Sequence, residues 1–274
     1  MNCPYENHVQ CAAMKPEQLW QTIRDEAKQF AISEPLLANY LQTVVMDQPS
    51  LASALSVHLA KLLMNAFVPE KKLQAVIQQA FEKDTYILQS LCKDIVAYRE
   101  RDAACNYYLL PVLYFKGFHA LQSYRVAHYL YQNDQCALAF FFQNLISQTF
   151  GVDIHPAARL GAGIMIDHAT GVVIGETAVV EDDVSMLHGV TLGGTGTCHG
   201  EDRHPKIRRG VLLSTGAKIL GNVEVGEGAK VAAGSLVLED VAAHTTVAGI
   251  PAKVVGRPLV EDPALSMNHQ VHES

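Results

Sequence analysis

From Ile154 onward an aliphatic or small residue returns at every sixth position: Ile154, Leu160, Ile166, Val172, Ala178, Val184 and Val190. The series resumes as Ile207, Leu213, Ile219, Val225, Val231 and Val237, then fades at Ala243 and Gly249. Such a period suits a parallel β-helix, in which three short strands make one triangular coil of about 18 residues and successive coils stack about 4.8 Å apart. Each repeating aliphatic then points inward, and neighbouring coils satisfy one another's backbone. An α/β sandwich would need helical stretches between its strands, and none fits between residues 151 and 250. The step from Val190 to Ile207 is 17 residues, so the register slips by one. The polar, glycine-rich TLGGTGTCHGEDRHPK, residues 191–206, is expected to be a loop extruded from the solenoid.

Upstream the period is different. Between Pro16 and about residue 147 apolar residues recur at three and four, as in Leu19, Ile23, Phe30, then Leu51, Leu55, Leu59, Leu62, then Leu73, Val76, Ile77, Phe81. Pro16, Pro35, Pro49 and Pro69 stand near the starts of these runs, where a missing N–H costs nothing. Of the 19 glycines only Gly117 precedes residue 151. The expected organisation is an α-helical domain over 1–149, a β-helix over 150–258 and a C-terminal tail over 259–274.

A hydrophobic fraction of 49% marks a globular chain, and a formal charge of −7 offers no electrostatic case for nucleic acid or an anionic membrane surface. The apolar cluster CALAFFF is far shorter than the roughly 20 residues a membrane helix needs, so no span is expected. Six cysteines without a CxxC pair, behind an N-terminus lacking a basic-then-apolar leader, point to reduced thiols and a cytoplasmic location.

Within the repeat, MIDHATGVVIG places Asp167-His168 directly after the inward Ile166, at a strand end or corner where polar groups reach outside. Histidine is the side chain best suited to take a proton at neutral pH, and an adjacent acid can hold its tautomer. A solvated corner with a locally capping Asp would carry the same pair.

The runs VDIHPAARLGAGIMIDHATGVVIGETAVVEDDV, VTLGGTG, DRHPKIRRGV, GAKILGNVEVGEGAKVAAGS and AGIPAKVVG, with RDAAC and LYFKGFHALQSYRVAHYL upstream, resemble the bacterial serine acetyltransferases of the hexapeptide acyltransferase superfamily. The resemblance implies a left-handed β-helix and acetyl transfer from acetyl-CoA to the hydroxyl of L-serine, with no metal. It implies His168 as base, Asp153 as the acid that orients it, Asp102 and Asp167 for the serine ammonium, and Arg203 and His204 for its carboxylate. It places acetyl-CoA along Gly194, Thr195, Thr215, Gly216 and Ala233, with Lys253 near a phosphate. It further implies inhibition by L-cysteine in the serine pocket, trimers with sites between protomers, hexamers built from two trimers, and a His204 that reaches toward a neighbouring subunit. Many bacterial relatives end in an isoleucine that enters O-acetylserine sulfhydrylase, whereas this chain ends QVHES, so weak or absent binding to that enzyme is expected.

Two other readings compete. His188, His199 and His204 have spacing open to a zinc site, as in β-helical carbonic anhydrases. A repeat solenoid can also serve purely as a scaffold.

Overall fold

The computed structural model describes residues 15–196 and 202–271. Its first half is helical: α1 (Pro16–Ser33), α2 (Ala38–Leu41), α3 (Leu51–Leu63), α4 (Glu70–Lys83), α5 (Thr85–Arg101), α6 (Leu109–Tyr114), α7 (Lys116–Gln132) and α8 (Cys136–Phe150). Pro16 takes the first helical position of α1 and Pro69 caps α4, as their missing N–H groups allow. The apolar repeat packs inward with one exception: Leu62 is 37% exposed and Leu63 takes its place in the core. Cys92, Cys105 and Cys136 are free thiols.

Beyond Gly151 the chain winds into stacked three-strand coils. The first holds β1 (Val152–Ile154), β2 (Arg159–Leu160) and β3 (Met165–Asp167); the second β4 (Val172–Ile174), β5 (Val179–Val180) and β6 (Ser185–Leu187). The third holds β7 (Thr191–Gly193), β8 (Lys206–Ile207) and β9 (Leu212–Leu213); the fourth β10 (Lys218–Leu220), β11 (Glu224–Val225) and β12 (Lys230–Val231). A last coil contributes β13 (Leu236–Val237) and β14 (Thr246–Gly249), and β15 (Ala252–Gly256) folds back antiparallel on β14. The prism has three parallel faces, ordered β1-β4-β7-β10-β13, β2-β5-β8-β11 and β3-β6-β9-β12-β14. A short helix, α9 (Pro263–Ser266), follows.

The register departs from the simple six-residue lattice at two places. Val152 pairs with Val172, a step of 20, whereas Val173 pairs with Thr191, a step of 18. Two extra residues therefore sit in the corner between β3 and β4, where His168 lies. The true inner rows run Ile154-Ile174-Leu192-Ile219-Val237 and Ile166-Met186-Leu213-Val231-Val247. Val172, Ala178 and Val184 are also buried, but they align with Val152, Ala158 and Ile164, two residues earlier along each strand, and Val190 in turn aligns with Val172. Positions two apart on a strand share a face, so a hydrophobic pattern cannot register a two-residue slip. The second departure is the extruded segment: Val179 pairs with Lys206, a step of 27. Thr191–Gly193 forms β7 and Lys206 opens β8, so both ends of the loop expected over 191–206 belong to strands.

The first coil has no coil beneath it, and its exposed backbone groups need partners. Side chains of α5 and α7 supply them. Arg125 donates to Gly161 O at 2.7 Å, Arg101 to Gly163 O at 2.8 Å, and the Asp94 carboxylate accepts from Ile164 N at 2.9 Å. Asp94 is fully buried and satisfied, because Arg125 (2.7 Å) and Gln122 (2.8 Å) also bind it. The Tyr98 hydroxyl does the work of a missing strand, donating to Ile166 O at 2.9 Å and accepting from Ile166 N at 3.0 Å.

Candidate active site

The two extra residues at the β3–β4 corner determine where His168 points. His168 (φ +54°) and Ala169 (φ +58°) are both left-handed, a conformation that costs non-glycine residues energy and is kept only where surroundings impose it. Successive tight turns hold them: Ala169 N bonds Asp167 O at 2.6 Å and Thr170 N bonds His168 O at 2.7 Å. Ala169 is fully buried, and the turn throws the His168 imidazole outward with 73% of its side chain exposed. Below the corner lies Gly117 of α7, where an added Cβ would come 2.0 Å from Ile166 O. That close approach is why a glycine stands inside a helix here. Lys116 bonds the Thr170 hydroxyl.

This corner begins one edge of the prism. Backbone bonds climb it from coil to coil: Gly189 N to Thr170 O, Gly216 N to His188 O and Gly234 N to Thr215 O, at 2.8–2.9 Å. His168, His188, Thr215, Gly216 and Ala233 thus share one edge. Asp167 Oδ2 lies 3.5 Å from His168 Nε2, and the rings of His168 and His188 meet edge-to-face. Asp102 ends α5, where its carboxylate accepts from Ala104 N at 2.8 Å. Burial holds the Tyr98 hydroxyl far above the usual phenol range; the Ile166 backbone bond opposes this, while the Asp94, Asp167 and Asp102 charges add to it. Asp167 and Asp102 therefore both lie near Tyr98. The tail crosses the adjacent face, where His269 Nδ1 meets Ser214 Oγ at 2.9 Å, and its imidazole is pushed below its ordinary value by burial and by Lys230, against the pull of Asp167.

Arg203, His204, Gly194 and Thr195 occupy the other edge of the β1-β4-β7-β10-β13 face. Arg203 Nη2 bonds Glu176 Oε2 at 2.6 Å, a contact that draws the Glu176 carboxyl below its usual range. His204 is packed against its own chain: it is 7% exposed, its Nδ1 sits 2.9 Å from Thr177 Oγ1, and its ring fills the space a Cβ on Gly175 would take. The missing side chain at Gly175 made room inside its own chain. Desolvation, then Arg203, lowers its pKa. Gly194 and Thr195 are here too, with Gly194 close against Arg203 and His204. The Asp153 carboxylate accepts from Gln143 at 2.7 Å and makes no ion pair or hydrogen bond with His168 in this chain. Lys253 lies exposed on β15 opposite Ala248.

A single chain thus places His168, Thr215, Gly216 and Ala233 on one edge of the β1-β4-β7-β10-β13 face and Gly194, Thr195, Arg203 and His204 on the other, with Asp153 on β1 and Lys253 on β15. A cavity of about 790 Å³ between α7, the start of α5 and the β2/β5 strands holds none of these residues. The sequence offered His188 only as a zinc ligand and gave no role to Glu176, Tyr98 or Gly117; of these three only Gly117, alone among glycines in the helical half, carried a visible signal. His199 and Ser274 lie outside the described residues. Among the described residues no three His, Cys, Asp or Glu side chains converge on a metal-sized site, and no helix is long and apolar enough to cross a membrane.

The family model described as "Serine acetyltransferase, N-terminal" matches residues 19–123. A serine acetyltransferase of Salmonella typhimurium is 51% identical over 252 residues, 92% of each chain. The chain belongs to the serine acetyltransferase family. The crystal structure of the Vibrio cholerae serine acetyltransferase superposes with a TM-score of 0.92 at 54% identity, covering 93% of this chain and 99% of that one. The likeness makes the parallel coils a left-handed β-helix. Other family structures contain ligands: one with cysteine (TM-score 0.91, 48% identity, 93% and 99% covered), one from Brucella abortus with coenzyme A (0.86, 48%, 89% and 96%) and one from Neisseria gonorrhoeae with serine (0.84, 51%, 86% and 96%).

Proposed function

We propose that this chain transfers acetyl from acetyl-CoA to the hydroxyl of L-serine, giving O-acetyl-L-serine and CoA, the first step from serine toward cysteine, and that L-cysteine inhibits it in the serine pocket. The observation that carries the reading is the outward His168 beside Asp167, on the same edge as the small-residue corners of Thr215, Gly216 and Ala233. A base stands exposed where a thin pantetheine arm could lie close to backbone. His168 takes the serine hydroxyl proton as the oxygen attacks the thioester carbon, and returns it to the departing CoA sulfur. Asp102 and Asp167 bind the serine ammonium; Arg203, oriented by Glu176, and His204 bind its carboxylate.

Because those groups lie on two edges of one chain, the working site forms between protomers, with one edge from each. In a cyclic trimer the same pairing recurs three times. Asp153 then orients a neighbour's His168, Gly194 and Thr195 of one protomer line the acetyl-CoA groove with Thr215, Gly216 and Ala233 of the next, and Lys253 meets a phosphate. The helical domain of 1–149 joins two such trimers into a hexamer, and residues 150–258 are the catalytic domain. We assign the enzyme to the cytoplasm, in keeping with its free thiols. Thiol release from acetyl-CoA, compared among L-serine, L-homoserine, a galactoside and no acceptor, tests the reading. Turnover with the sugar but not with serine would overturn the roles of Asp102, Arg203 and His204.

A further inference from the structure

We propose that His155 is a positioning residue for the serine carboxylate: with serine bound, its Nε2–H donates to Glu176 and keeps that carboxylate where it holds Arg203 toward the substrate. The inference rests on the acetyl-transfer reading and deepens its carboxylate subsite. His155 stands just past β1, and its backbone N–H donates to Ile174 O at 2.9 Å, so it lies directly beneath Gly175, one coil down. Both residues follow an inward isoleucine and therefore point outward. At Gly175 no side chain fills that outward position, and the His204 ring occupies it. Glu176 is the next residue along, bonded to Arg203 at 2.6 Å. His155 thus forms the floor of the cluster that contains Glu176, Arg203 and His204.

The imidazole is held on two sides. Phe140 of α8 and Tyr131 at the end of α7 meet it edge-to-face, with ring centroids 5.5 and 6.1 Å away. Its Nδ1 accepts from Ala157 N at 3.1 Å, which puts the proton of the neutral ring on Nε2, on the side away from that turn. Burial keeps the imidazole below its ordinary pKa; Glu176 and then Asp153 pull the other way, and Arg203 adds to the lowering. At pH 7 His155 is accordingly a neutral donor facing two carboxylates.

Of the two, Glu176 is favoured. Its charge acts on the ring more strongly than that of Asp153, and Asp153 already has a side-chain donor in Gln143 at 2.7 Å. Arg203 takes only Oε2 of Glu176, so Oε1 can accept a second donor. A carboxylate held at both oxygens presents a fixed edge to the guanidinium, and the guanidinium then keeps one orientation toward an incoming carboxylate.

Two substitutions separate the donor from the ring. His155→Gln keeps an N–H near the place of Nε2; His155→Phe keeps a packed ring and loses the donor. In serine-dependent thiol release, KM for L-serine should rise about fivefold in the Phe variant and stay within about twofold of wild type in the Gln variant, with kcat and the KM for acetyl-CoA little changed. The effect must run through Glu176, so in a Glu176→Gln background His155→Phe should move KM by less than about 1.5-fold, as coupled residues do not add. His155→Leu serves in place of Phe if circular dichroism shows that variant misfolded. An unchanged KM in the Phe or Leu variant, a Gln variant that rises as far, or an additive double variant overturns the proposal. A fall in kcat at constant KM overturns it as well, because it would tie the ring to Asp153 and the base. Absence of serine-dependent release by the wild-type enzyme would instead overturn the acetyl-transfer reading itself, so the two failures are distinct.

Discussion

His168 is held in a left-handed turn two residues longer than the corner above it on the same edge, and its backbone depends on Ala169 being buried beneath it. Removing the imidazole leaves that backbone intact. His168→Ala is accordingly expected to fold and melt like wild type while kcat drops at least about 100-fold, the usual worth of a positioned base. Full activity in a thiol-release assay would refute its role. On the other edge, Glu176 restrains Arg203 through a contact about one-third exposed, so its energetic worth is modest. Glu176→Gln should raise KM for L-serine roughly three- to tenfold with kcat nearly unchanged, a rise set by the orientation of Arg203. An unchanged KM would show that Arg203 holds its place unaided. At this scale the sequence was informative about residue types and poor about partners. DHATG announced an acid and a base at a corner, whereas Glu176 sits in an ordinary repeat position, and only its contact with Arg203 across the stack gives it a task.

At the level of elements, the joint between the helices and the first coil connects stability to catalysis. Tyr98 of α5 pairs with both backbone groups of Ile166, the residue before Asp167-His168. Tyr98→Phe would leave a buried N–H and C=O unsatisfied, at a cost of about 1–3 kcal/mol, and loosen the turn beside them. The expected result is a lower melting temperature together with a reduced kcat for serine; an unchanged melting curve would show that water or a rearrangement replaces the hydroxyl. The six-residue repeat made the coils legible from sequence. The need for a helical lid over the first coil was not, because no local pattern tells a strand that it is first in a stack.

Over the whole molecule, two edges that never meet within one chain set a clear expectation. Mixed, refolded His168→Ala and Arg203→Ala chains should regain about a quarter of wild-type activity if sites lie between protomers, since one pairing in four then combines two intact edges. Additive inactivity would place the whole site within a chain. The helical half carries its own pH dependence. His58 and His119 are buried with rings 4.9 Å apart, and burial lowers them to about 4 and about 3; the His58 charge lowers His119 further. Above the unfolded value near 6.5 both states are neutral, and the stabilising difference is whole. As pH falls from there toward 4 the unfolded chain binds protons first, and stability declines by about 1.4 kcal/mol per pH unit for each group. Thermal melts between pH 7.5 and 4.5 should show this decline, and a flat profile would contradict it.

The sequence alone determined the two architectures, because hydrophobic period is a property of neighbours along the chain: three-and-four spacing for the helices, six for the coils. It also determined the corner with its acid and base. Tertiary structure decided what touches what. The two-residue slip at His168 was invisible to a pattern that is inward at both positions, and His204 turned into its own chain because Gly175, a full coil away in sequence, left a space for its ring. Contacts between coils depend on register summed over every corner between them, and no single stretch of the chain contains that sum.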